Sequence, residues 1–208
     1  VKENIRNILN KNTKIPITVV RYYPWLGIPK KLPNKKSLSQ KRNVKFLYVA
    51  DGAFHKNHLI LMQAWELLSR DFDVKYKLSL TLGDKDAELW ELISDFSLKH
   101  ELKIYNLGEV PRHEMPRVYK KHDVLIYPSL SESLGLPLLE AQEFGLDIIC
   151  SELDYAREVC EPSETFDARS FFSVKDAVLR YTGVRSSHRS VWNDREGLLA
   201  AYFDEEKI

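Results

Sequence analysis

Asp123-Val-Leu-Ile-Tyr-Pro-Ser-Leu-Ser-Glu-Ser-Leu-Gly-Leu-Pro-Leu-Leu-Glu-Ala-Gln-Glu-Phe-Gly145 decides the fold. Its first five residues are a short apolar run with no polar alternation across the middle. A strand apolar on both faces is what a central position in a parallel sheet demands. Pro137 suits the first turn of a helix, and the spacing predicts that helix over Pro137 to Phe144. Gly145 is placed to end it as a C-terminal cap.

The same alternation runs outward in both directions. Val44 to Ala50 is a strand bounded by Asp51-Gly52. Asn57 to Arg70 carries apolar side chains at Ile60, Ala64, Leu67 and Leu68, a helical spacing that Leu61 and Trp65 widen. Val74 to Leu82 reads as a second strand. Asp86 to Lys99 reads as a helix with Leu89, Trp90, Leu92, Ile93 and Phe96, and Leu102 to Leu107 as a third strand. A short helix follows over His113 to Lys121. After the fourth strand and its helix come a strand at Asp147 to Cys150, a helical piece near Ala156 to Val159, and helices over Ser173 to Tyr181 and Arg189 to Tyr202. Five strands alternating with helices predict an α/β domain: a mainly parallel sheet between two helical layers. Ligands of such sheets sit beyond the carboxyl ends of the strands. The loops after Ala50, Leu82, Leu107, Tyr127 and Cys150 are therefore the ones to search.

Bulk properties narrow the function. The chain has 208 residues, 44% hydrophobic and 29% charged, which supports one packed domain with a remainder at the ends. Its net charge of +1 gives no global field to hold nucleic acid. Two cysteines, Cys150 and Cys160, make neither a disulfide framework nor a zinc site, and fit a cytoplasmic protein. No apolar run approaches the ~20 residues of a membrane span. The chain opens on Val1, without an initiator Met or a signal peptide, and reads as part of a longer protein. Residues 21–43, rich in proline and lysine, read as a linker. Their basic cluster is expected to be solvated, with peripheral contact to an inner membrane face as the alternative.

The loop after Tyr127 carries the chemistry. Gly135 lets the backbone approach a ligand closely. The N–H groups near Ser133 to Leu138 are expected to be unpaired at the start of a helix, which makes an anion site. Glu132 sits in the loop and Glu140 one turn inside the helix. A phosphate would take the amides and a sugar or ribose diol the carboxylates. A solvated loop glutamate and a helix-dipole glutamate would look the same in isolation. The surrounding Pro-Ser-x-x-Glu-Ser-x-Gly-x-Pro-x-x-Glu-Ala pattern favours the binding reading.

That pattern resembles the E-x7-E signature of the retaining GT-B glycosyltransferase family 4, the group 1 glycosyltransferases. Phe46 to Ala50 with His55-Lys-Asn-His58, Leu107-Gly-Glu-Val-Pro111, Tyr119 to Asp123 and Tyr155 to Val159 are similar to further segments of that family's donor domain. The resemblance covers about residues 44 to 185. It implies a Rossmann-like three-layer α/β/α domain, the C-terminal half of a GT-B fold, that binds a UDP- or GDP-sugar. Residues 1–20 resemble the closing helix and strand of the other half, and 186–208 would be a helical tail. The resemblance implies that Glu132 contacts the donor sugar and Glu140 the ribose. Ser133, Leu134, Gly135 and Leu136 would hold sugar and phosphate through their amides, Lys56 would neutralise the diphosphate, and Val110 would flank the base. No metal or other cofactor is implied.

The family commonly places an Arg shortly before the Lys. Here the segment is Ala50-Asp-Gly-Ala-Phe-His55, so His55 or His58 is the substitute, or the amides suffice. The partners expected are a nucleotide-sugar donor and a glycan or lipid-linked acceptor, the latter held by the other domain. A nucleotide-sugar epimerase of the same fold and a non-catalytic nucleotide-sugar-binding domain are the competing readings. A dehydrogenase is disfavoured, since no Gly-x-Gly-x-x-Gly turn follows the first strand.

Overall fold

The computed structural model describes residues 43–72 and 76–184. The expectations for 1–20, for nearly all of the linker, and for 185–208 lie outside the described residues. Among the described residues, six strands form one sheet: β1 Lys45–Tyr48, β2 Lys77–Leu80, β3 Ile104–Asn106, β4 Val124–Tyr127, β5 Asp147–Ser151 and β6 Glu164–Phe166. The order is β3-β2-β1-β4-β5-β6, and every neighbouring pair is parallel. Among the described residues, six α-helices connect and flank the strands: α1 His58–Phe72, α2 Ala87–Lys99, α3 Met115–Lys120, α4 Leu136–Glu143, α5 Asp154–Arg157 and α6 Phe171–Thr182.

The sequence pattern explains the layering. All four residues of β4 are buried, as a strand covered on both faces must be. Phe46 of β1 is fully buried and packs edge-on against Trp65 of α1, with ring centroids 5.2 Å apart. Burying a side chain of this kind contributes about 1.5–3 kcal/mol. The Trp65 indole N–H also donates to the Tyr76 carbonyl at 3.0 Å, so its one polar atom is satisfied. Helix α1 packs against α6.

Three differences from expectation have physical reasons. Strand β6 was not anticipated, because Glu164-Thr-Phe166 is a three-residue edge strand with only Phe166 buried. In α2, Ile93 is buried but Leu92 is 53% exposed, so the inward stripe is narrower than the apolar count implied. A 3₁₀ turn over Phe54–Lys56 precedes α1, where the sequence had suggested only loop. Cys150 and Cys160 are both buried free thiols.

The strand order reverses direction between β1 and β4. Parallel sheets leave a crevice at that switch point, outside the carboxyl ends. The loops after β1 and β4 meet there.

Candidate active site

The loop after β1 is built to project Lys56. The Lys56 N–H donates to the Ala53 carbonyl at 2.8 Å and the Asn57 N–H to the Phe54 carbonyl at 3.1 Å, closing the 3₁₀ turn. Asn57 then takes φ +60°, a left-handed conformation that asparagine tolerates better than most residues. Its Nδ2 donates to the carbonyls of Pro128, at 3.2 Å, and Ala168, at 2.8 Å. The Tyr48 hydroxyl donates to the Lys56 carbonyl at 2.6 Å, and the Leu130 N–H to the His55 carbonyl at 2.8 Å. The loops after β1 and β4 are thus joined through their backbones.

Lys56 Nζ donates to Glu132 Oε1 at 2.7 Å, and the Tyr127 hydroxyl donates to the same oxygen at 2.8 Å. The two charged side chains retain 16% and 9% exposure. Burial works to raise the Glu132 pKa, but hydrogen bonds from Lys56, Tyr127 and Ser129 outweigh it and hold the carboxyl below its usual range. Burial first, and then the Glu132 charge, push the Tyr127 phenol far up, so Tyr127 stays a donor.

Gly135 caps α4 at φ +67°, ψ +48°. A Cβ there would meet Leu138 Cδ1 at 3.1 Å, in a conformation that already disfavours side chains. Among the described residues, the N–H groups of Ser133, Leu134, Gly135 and Leu136 donate to no acceptor. The Leu138 N–H differs from expectation: it donates to the Gly135 carbonyl at 2.9 Å, because the first turn of the helix tightens onto its cap.

A cavity of about 770 Å³ lies here, lined by Lys56, Glu132, the Ser133 to Leu136 stretch and Val110. Two of the expected contacts are not among the residues that line this cavity. His55 is exposed and outside the lining, and its carbonyl accepts from the Leu130 N–H of the β4 loop. Glu140 is half-buried and also outside the lining; its Oε2 accepts from the Tyr119 hydroxyl at 2.7 Å. His58, the other suggested substitute for an Arg, is also outside the lining. It is 4% exposed, its ring centroid is 4.8 Å from that of Tyr48, and burial lowers its pKa to about 4. His113 is a surface residue. A second cavity, about 530 Å³, opens beyond β5 and β6 and is lined by none of the candidate residues.

Sequence reasoning missed Lys85 and Asp51. Both line the larger cavity, and Lys85 Nζ stands 3.2 Å from Asp51 Oδ2. Each lies in a loop beyond a strand's carboxyl end, so the ligand-side rule had already pointed to those loops. Among the described residues no group of three His, Cys, Asp or Glu side chains is placed to hold a metal ion. Nor is any described helix long and apolar enough to cross a membrane.

An ammonium and four unpaired amides around one hollow suit a multiply charged anion, and an ionised carboxylate beside them suits hydroxyl donors. O-antigen chain mannosyltransferase B of Escherichia coli is 35% identical over 115 residues, 54% of this chain but 30% of that protein. The chain thus spans about a third of the length of the curated relatives it matches. The C-terminal domain of a group 1 family glycosyl transferase from Francisella tularensis superposes with a TM-score of 0.55 at 15% identity, covering 64% of this chain and 73% of that one. Anabaena HepE, solved with UDP and glucose, gives 0.54 at 16% identity over 65% of this chain and 37% of its own. These two likenesses concern the fold. The model of the glycosyl transferases group 1 matches residues 30–177, most of the chain. With the sheet order, the switch-point cavity and this match together, the chain belongs to the group 1 glycosyl transferases.

Proposed function

We propose that this domain holds the nucleotide-diphosphate-sugar donor of a retaining hexosyltransferase acting in polysaccharide biosynthesis. The observation that carries the reading is the Lys56–Glu132 contact at 2.7 Å beside the unpaired amides of Ser133 to Leu136. In the reaction the bond between the sugar C1 and the diphosphate oxygen breaks, and the oxygen leaves with the electron pair. An acceptor hydroxyl bonds to C1 on the face that the diphosphate vacates and passes its proton to the leaving diphosphate oxygen. Negative charge grows on the leaving diphosphate, where Lys56 and the amides stand ready to offset it. Glu132, ionised and acceptor-only, receives hydroxyls of the sugar. Glu140, oriented by Tyr119, turns from its half-buried position to the ribose diol, and Val110 flanks the base.

The kinship with an O-antigen mannosyltransferase supports a hexose donor and a glycan or lipid-linked acceptor. UDP in the Anabaena neighbour supports a nucleoside diphosphate as the leaving group. The acceptor belongs to a companion domain, so the 208-residue chain binds donor weakly and transfers nothing by itself. Calorimetric titration with UDP, GDP and ADP, and then their sugars, tests this. Glu140→Ala should weaken binding of the nucleotide, and Glu132→Ala only the increment that the sugar adds. If both variants match the parent chain for every ligand, the donor site is elsewhere.

A further inference from the structure

The described lining of the larger cavity carries four carboxylates, Asp51, Asp86, Glu109 and Glu132, against three cations, Lys56, Lys85 and Arg112. A diphosphate entering such a hollow is favoured only if ammonium groups leave their carboxylate partners for it. Lys56 is one such group. The loop that carries it offers no second cation to the cavity: His55 is exposed and outside the lining, and His58 is buried with its pKa lowered to about 4.

Lys85 comes from the neighbouring loop. It sits in the 3₁₀ turn Asp84–Asp86 beyond β2, the strand paired with β1. The turn is pressed onto the Lys56 loop: a Cβ on Gly52 would fall 2.6 Å from Asp86 Oδ1, so a side chain there would have to displace the Asp86 carboxylate. Asp51, the partner of Lys85, stands five positions before Lys56. Their ion pair is open to solvent, with side-chain exposures of 67% and 43%, and a pair so exposed is screened and contributes little. Exchanging Asp51 for a doubly charged anion therefore costs little. The Lys56–Glu132 pair is far more enclosed.

We propose that Lys85 is the second cationic contact to the donor diphosphate, taking from the loop after β2 the charge that the loop after β1 lacks. The inference rests on the donor-site reading above. On binding, Lys85 Nζ releases Asp51 and donates to a diphosphate oxygen across the cavity from Lys56. A lysine fits this task because its flexible stem lets one point charge change partners.

Titration calorimetry of the 208-residue chain with UDP, GDP, UMP and GMP tests it. Lys85→Ala should lose about tenfold in affinity for the diphosphate that the parent binds, and much less for the monophosphate. Lys85→Arg should restore most of the loss. A cycle with Asp51→Asn separates direct contact from simple neutralisation of Asp51. Lys85→Ala should still cost affinity in the Asp51→Asn background. If it costs nothing there, Lys85 only masks Asp51 and the proposal falls. If the parent binds diphosphates and Lys85→Ala binds them equally well, Lys85 is excluded while the donor site stands. If the parent binds no nucleotide at all, the donor-site reading and this one fall together.

Discussion

Lys56 and Glu132, 76 positions apart in sequence, meet at 2.7 Å across the point where the sheet reverses its strand order. Neither loop makes this contact alone. The Tyr48 hydroxyl holds the Lys56 carbonyl, the Leu130 N–H holds the His55 carbonyl, and the Tyr155 hydroxyl holds the Ser129 carbonyl at 2.8 Å. The ion pair is therefore the visible end of a hydrogen-bonded floor that fixes both loops before any ligand arrives.

The pair gives the fold a defined acid response. The Glu132 carboxyl is held below its usual range in the folded chain, with burial opposing and Lys56 first among the groups that lower it. A depressed folded pKa stabilises above the unfolded value, and that stabilisation is lost as pH falls through the folded one. Lys56→Met removes the main lowering partner, so its loss should begin at higher pH than in the parent. Thermal melts between about pH 3 and 6 measure this. Superimposed acid limbs for the two proteins would show that the contact does not hold the carboxyl ionised.

His58 acts in a different window. Burial first, against the opposing charges of Asp86 and Asp51, lowers its pKa from 6.5 to about 4, so the folded chain resists the proton that the unfolded chain accepts. Stability should fall as pH drops from 6.5 toward 4, by a total on the order of 3 kcal/mol. His58 Nε2 has no hydrogen-bond partner among the described residues, so a phenyl ring sacrifices no bond from that atom. His58→Phe should stay within about 1 kcal/mol of the parent at pH 8 and lose the decline between 6.5 and 4. Urea denaturation at a series of pH values reads both. An unchanged decline in the variant would assign it to another group.

Asn57 separates backbone strain from clamping. Asn57→Gly keeps the φ of +60° at no steric cost but loses both bonds to Pro128 and Ala168, for about 1–2 kcal/mol. Asn57→Ala loses the same bonds and adds about 1 kcal/mol of left-handed strain. Alanine should therefore be the more damaging replacement in equilibrium unfolding. The reverse order would mean that the turn relaxes out of its left-handed conformation.

The fold was legible because each buried strand is a short apolar run closed by turn residues. Val124 to Tyr127, covered on both faces, gave the clearest signal and fixed the sheet as parallel. Glu164–Phe166 gave none, being a brief edge strand with one buried side chain. Glu132 and the Ser133 to Leu136 amides were readable from a loop that follows a strand end and opens a helix, whereas Lys56 was named through the resemblance of its His55-Lys-Asn-His58 segment. Lys85 was passed over because Asp84-Lys-Asp86 has the composition of any solvated turn. The burial of His58 and the Tyr119 bond to Glu140 depend on packing between elements 21 or more positions apart, or on ring contacts that no local period encodes.

Amide-resolved NMR of the chain, titrated with UDP and GDP, tests the central claim most directly. The account predicts that the backbone signals of Ser133, Leu134, Gly135 and Leu136 move together with the Lys56 ammonium signal, on one binding curve. Shifts confined to other loops, with these five groups unmoved at saturating nucleotide, would contradict it.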